Sequence, residues 1–147
     1  MPSLDPYATT LLGIKNAVKA AVNSTVTFHD KVSFDFISAP DPEDNPFAHG
    51  SMVRDALKAR GVKETGHLVT FNIDVVYMCA PDEAELDKLI GYIGEIVDVF
   101  EGDRHMGAPA YVDRVEVDTV TYGFIEGDQA LVRTGRIGIT VHSMRNM

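Results

Sequence analysis

Residues 66–100, GHLVTFNIDVVYMCAPDEAELDKLIGYIGEIVDVF, change period halfway along. In the first half Val69, Phe71, Ile73, Val75, Tyr77 and Cys79 alternate with Thr70, Asn72 and Asp74. A period of two predicts a strand with one covered face. In the second half Leu86, Leu89, Ile90, Ile93, Ile96, Val97 and Phe100 recur at steps of three and four. That spacing predicts a helix over 82–100 with a broad apolar stripe. Pro81 suits a helix start, and Asp82 and Glu83 complement the positive end of the helix dipole. Gly91 and Gly94 fall inside this helix, where each costs about 1 kcal/mol relative to alanine. Either another backbone packs close to them, or the helix simply tolerates them.

Cys79 stands where the period changes and is the single cysteine of the chain. A helix N-terminus favours a thiolate. Here Asp82, Glu83, Glu85 and Asp87 oppose a second negative charge. The parity of Cys79 places it on the covered face, where cysteine behaves as a small hydrophobe. An inert thiol is expected, at a strand handing over to a helix. One cysteine cannot close an internal disulfide, which points to a reducing compartment.

Upstream, Asp5-Pro6 reads as a cap and first position of a helix. Tyr7, Leu11, Ile14, Val18 and Val22 give it one apolar stripe over about 6–22. In TVTFHDKVSFDFISA, residues 25–39, the even positions Val26, Phe28, Val32, Phe34 and Phe36 predict a strand, interrupted at Asp30. Residues 40–50, PDPEDNPFAHG, hold three prolines and three acids and predict an irregular loop, expected to meet a partner. SMVRDALKARG then reads as a short helix over about 51–60, with Ser51 as cap, Val53, Ala56 and Leu57 as a face, and Gly61 as stop.

Downstream, residues 101–110 predict a loop. In YVDRVEVDTVTYGFI the apolar phase switches from Val115 and Val117 to Val120, Tyr122 and Phe124. A bulge near Asp118-Thr119 is expected. EGDQ is a turn, and Leu131, Ile137, Ile139 and Val141 mark the last strand, completing a hairpin. The expected fold is α+β, one domain over 1–147. A mostly antiparallel sheet of about four strands carries an N-terminal helix and a long helix packed on one face. Residues 40–61 form a loop-plus-short-helix insertion in that plan.

The 147 residues suit one domain, with 45% hydrophobic and 24% charged residues as in ordinary globular chains. No apolar run is long enough to span a bilayer, and MPSLDPYATT lacks the pattern of a secretory leader. The net charge is −9, which argues against a surface built to grip phosphate. Eight acids against Lys88 place −7 of it in residues 82–103. Such a segment reads first as a solvated helix face.

Chemistry is sparse. His29, His49, His67, His105 and His142 show no helical metal-pair spacing, and neither CxxC nor HExxH occurs. DPEDN at 41–45 lacks the glycine and glutamate of a calcium loop. GDRHMG at 102–107 pairs Arg104 with His105 and reads as an anion-binding loop or a plain surface loop. No phosphate-cradling motif is present. Neither catalytic nor cofactor-binding nor metal-ligating residues are assigned, and no enzyme activity or cofactor is expected.

The order of elements over residues 6–143 resembles the tail terminator and tail-completion proteins of long-tailed bacteriophages. The features that carry it are the amphipathic first helix, the aromatic-bearing strand, the Pro- and acid-rich loop, GHLVTFNIDVVYMCAPDEAELDKLIGYIGEIVDVF, and the terminal hairpin. The match rests on order and spacing, and the helix at 51–60 departs from it. The resemblance implies a structural virion subunit of the tail and neck, assembled in the host cytoplasm. It implies a homohexameric ring that caps the tail tube, meets the tube protein and a neck or head-completion protein, and lets DNA pass without specific binding. No membrane is involved, and no catalytic residue is implied. Asp82, Glu83, Glu85, Asp87, Glu95 and Asp98 are the expected acidic lining of such a channel, which would repel phosphate within about 8 to 10 Å. The competing readings are another head-tail joining or minor tail protein, or a small enzyme or ligand-binding α+β domain using the 101–109 loop.

Overall fold

Alternation in one segment and helical period in the next become neighbouring elements in space. The computed structural model describes residues 6–24, 47–61, 64–79, 82–108, 111–126 and 131–146. The elements in order are α1 (Pro6–Asn23), β1 (Phe47–Gly61), β2 (Glu64–Cys79), α2 (Glu83–Gly102), β3 (Arg114–Glu126) and β4 (Leu131–Asn146). The strands form one sheet in the order β1-β2-β4-β3, antiparallel at every junction. This is the expected α+β fold. The strand expected over 25–39 and residues 40–46 of the expected loop lie outside the described residues.

The helices cover the middle of one face of the sheet, over β2 and β4. Val69, Phe71, Ile73 and Val75 of β2 and Ile137, Ile139 and Val141 of β4 are fully buried. They share a core with Ile14, Val18 and Val22 of α1 and Leu89, Ile93, Ile96 and Phe100 of α2. The helix α2 lies across β2, β4 and β3, and α1 packs beside it. Two close approaches fix this layer. Gly135 lies under the Ile93 side chain, where any Cβ would collide. A Cβ on Gly13 would stand 2.5 Å from the ring of Tyr111.

The junction after Cys79 is as the residues dictate. Asp82 caps α2 by accepting from the Ala84 N–H at 2.8 Å, and Glu83 and Glu85 fill the acidic first turn. Cys79 is half-buried against the core. At the other end the Asp103 N–H closes on the Val99 carbonyl, and its carboxylate accepts from the N–H groups of His105 and Gly107. Met106 and Gly107 both have positive φ in that turn.

Three expectations are corrected. First, residues 51–60 are not a helix but part of β1, with Ser51 opposite Asn72 and Gly61 opposite Glu64. The planned loop-plus-helix insertion at 40–61 is therefore strand from Phe47 onward. Arg54, Ala56, Leu57, Lys58 and Ala59 give the segment helical propensity, but ten residues make a marginal helix, and cross-strand pairing with β2 prevails. A register shift between Met52 and Arg54 hides the strand from a period-two reading. Ala48, Gly50 and Met52 share the helix-bearing face, and beyond the bulge Asp55 and Leu57 do. Second, of the two readings of Gly91 and Gly94 the close backbone approach is the one corrected: among the described residues nothing lies within 4 Å of a Cβ added at either. Third, Ile90 leaves the expected stripe and is exposed. The expected bulge in β3 is present, between Val117 and Thr119.

Candidate functional site

Two surfaces concentrate polar chemistry, the outer side of α2 and the open face of the sheet. On α2, Glu83, Asp87, Gly91, Gly94, Asp98 and Glu101 follow one another at steps of four and three, a single stripe opposite the buried one. Asp82, Glu83, Asp87 and Asp98 are exposed, whereas Glu85 and Glu95 are half-buried. The six residues singled out for a channel therefore divide. Four form an acidic surface interrupted by two bare glycines.

Glu85 turns toward the sheet. It accepts a short hydrogen bond from the Tyr77 hydroxyl and pairs with Lys88 at 3.3 Å. The Tyr77 bond holds the Glu85 carboxyl below its ordinary range, against the opposing effect of burial. The same bond, reinforced by burial and the nearby negative charge, pushes the Tyr77 hydroxyl well above its ordinary value. Tyr92 packs edge-on against Tyr77, with ring centroids 5.5 Å apart. Arg133 reaches the Asp82 carbonyl at 3.5 Å, and its Nε is buried without a partner among the described residues.

The open face carries rows of polar residues. His49, Asp74, Arg136 and Thr121 stand level across all four strands. Arg136 grips Asp74 with two hydrogen bonds, Nε to Oδ1 at 2.7 Å and Nη2 to Oδ2 at 3.3 Å, which raises the guanidinium pKa further. A groove of about 500 Å³ runs over this row, bordered also by Val76 and Thr134. Further along, Glu116 meets Arg114 and His142, each at 3.3 Å, and Asp118 accepts from the Thr140 hydroxyl.

A buried pair on the helix-bearing face was not visible in the sequence. His67 Nδ1 lies 3.0 Å from Asp55 Oδ2, with both side chains under a tenth exposed. The Tyr7 ring of α1 packs at a tilt against the His67 ring, centroids 5.6 Å apart, and Asp55 Oδ1 is buried without a partner among the described residues. The β1 bulge is what turns Asp55 inward. Ser143, cross-strand partner of His67, is also buried, but its hydroxyl donates to the Tyr111 carbonyl. A Ser–His–Asp reading therefore lacks its nucleophile–base bond.

Of the other sequence candidates, His29 and residues 41–45 lie outside the described residues. His105 sits in the turn with Nδ1 3.1 Å from the Val112 carbonyl. Arg104 borders a hollow of about 400 Å³ with Glu101, Glu116 and Asp118, whose acids oppose an anion. Among the described residues no group of three or more His, Cys, Asp or Glu side chains is placed to hold a metal ion. No described helix is long and apolar enough to cross a membrane. No protein-family model matches the chain, and no curated protein matches it.

Proposed function

We propose that the chain is a structural subunit of a long-tailed bacteriophage, a tail terminator that caps the tail tube as a homohexameric ring and joins it to the neck. The observation that carries this reading is the architecture. A four-stranded antiparallel sheet bears both helices on one face and has two different outer strands, β1 and β3, among the described residues. A ring needs two different complementary patches on each subunit, and two unlike sheet edges supply them. The acidic stripe of α2 supports a second part of the proposal. Repeated around a ring, Asp82, Glu83, Asp87 and Asp98 would border a passage that DNA traverses without being held. In this reading the protein binds itself, the tail-tube protein and a neck protein, and carries out no catalysis.

The groove over His49, Asp74 and Arg136 favours a second reading, a small ligand-binding domain. Incubating the purified protein with tail tubes separates the two. Rings at tube ends in negative-stain images support the terminator; a chain that stays monomeric and ignores tubes contradicts it.

A further inference from the structure

We propose that copies of this chain join edge to edge, β3 of one against β1 of the next, so that the sheet continues from subunit to subunit. The inference rests on the ring reading above and names the surfaces that would build the ring. Strand direction supplies the first argument. With every junction antiparallel in the order β1-β2-β4-β3, the two outer strands among the described residues run in opposite directions. A copy displaced sideways without being turned over therefore brings its β1 antiparallel to the neighbour's β3. That is the more stable pairing, and it keeps all helices on one side.

Charge supplies the second argument. In a chain of net charge −9, the described side chains of β1 include Arg54 and Asp55, whereas those of β3 include Glu116 and Asp118 against Arg114. The Asp55 side chain is turned inward against His67, which leaves the exposed Arg54 as the charge that β1 presents among the described side chains. Like edges repel and unlike edges attract, which selects the head-to-tail contact over either symmetric one.

Register supplies the third. Ser51, Asn72, Gly138 and Thr119 stand on one level, and Arg54, Thr70, Thr140 and Glu116 on another. Carrying these rows into the next copy sets Thr119 beside Ser51 and Glu116 beside Arg54. Arg54 is exposed, and Glu116, already shared by Arg114 and His142, remains 41% exposed. Bulges and charges on outer strands ordinarily discourage pairing. Here Met52 and Val117 share a level, and the two bulges adjoin that row from opposite sides. An unstaggered join sets the two bulges on either side of that one row, Val53 toward the Thr70 row and Asp118 toward the Asn72 row, and leaves regular runs beyond them. Finally, large apolar side chains are exposed on both edges: Met52, Val53 and Leu57 on β1 and Tyr122 and Phe124 on β3, at 40% to 63%. Contact with a second copy covers such groups.

Disulfide trapping tests the join. In a Cys79→Ser background, one chain carries Ser51→Cys and another carries Thr119→Cys or Thr121→Cys, and the two are co-expressed and oxidised. The expected result is a linked dimer between the unlike variants, with no link in either variant alone. A chain bearing both substitutions should give a ladder of linked multimers. Self-linking of a single variant overturns the join in favour of a symmetric contact. Mass measurement of the same samples separates the two levels of the argument. A ring without mixed links overturns the edge join alone, whereas a monomer at all concentrations overturns the ring reading as well.

Discussion

At the scale of single residues, Gly91 and Gly94 lie in a helix stripe where, among the described residues, nothing is within reach of an added Cβ. Gly91→Ala and Gly94→Ala should each stabilise the free chain by up to about 1 kcal/mol, read as a higher urea midpoint. A lower midpoint would mean that something does contact that stripe. Gly135 is the opposite case, because alanine there meets Ile93. Tyr77 has a pH signature. Its hydroxyl is held above the ordinary value of 10.0, so its contribution is complete below that pH and is lost as pH rises through the folded value. Glu85 is held below its ordinary 4.5, so its contribution is present above that pH and is lost as pH falls through the folded value. Tyr77→Phe should therefore lower stability at neutral pH, with the gap to the parent chain narrowing in acid and in strong alkali. A gap that stays constant from acid to alkali would rule out the Tyr77–Glu85 bond.

At the scale of elements, the sheet and α2 hold one another through Phe71, Ile73 and Ile93, all at most 1% exposed. Phe71→Ala or Ile93→Ala should cost about 2–5 kcal/mol by chemical unfolding. Near-neutral effects at both would contradict the packing of α2 on β2 and β4. This layer was legible in the sequence because β2 and α2 each keep one period from end to end. The β3 bulge was legible too, since its apolar phase visibly switches between Val117 and Val120. The outer strand β1 was not. Its bulge moves the inward set from Gly50 and Met52 to Asp55 and Leu57, and its residues favour a helix in isolation. What decides its state is pairing with β2, a long-range term that local pattern does not contain. The same holds for the site residues. The acidic stripe follows from helical spacing alone, but the turn of Glu85 toward Tyr77 and the Asp55–His67 pair depend on strand register.

At the scale of the whole molecule, the charge on α2 matters only if it is repeated around a passage. Replacing Asp87 and Asp98 by lysine removes two exposed acids and adds two cations without touching the core. In the proposed ring this double variant should retain double-stranded DNA that the parent releases, most strongly at low salt. Equal release by both would place α2 on the outer wall and leave the joining role intact. The central claim is that this chain forms a ring on the end of a tail tube. The most direct test is an electron-microscopy reconstruction of the protein mixed with purified tail tubes. The account predicts a sixfold ring seated on the tube end, with adjacent subunits meeting through β1 and β3. A monomer that leaves tube ends bare would contradict it.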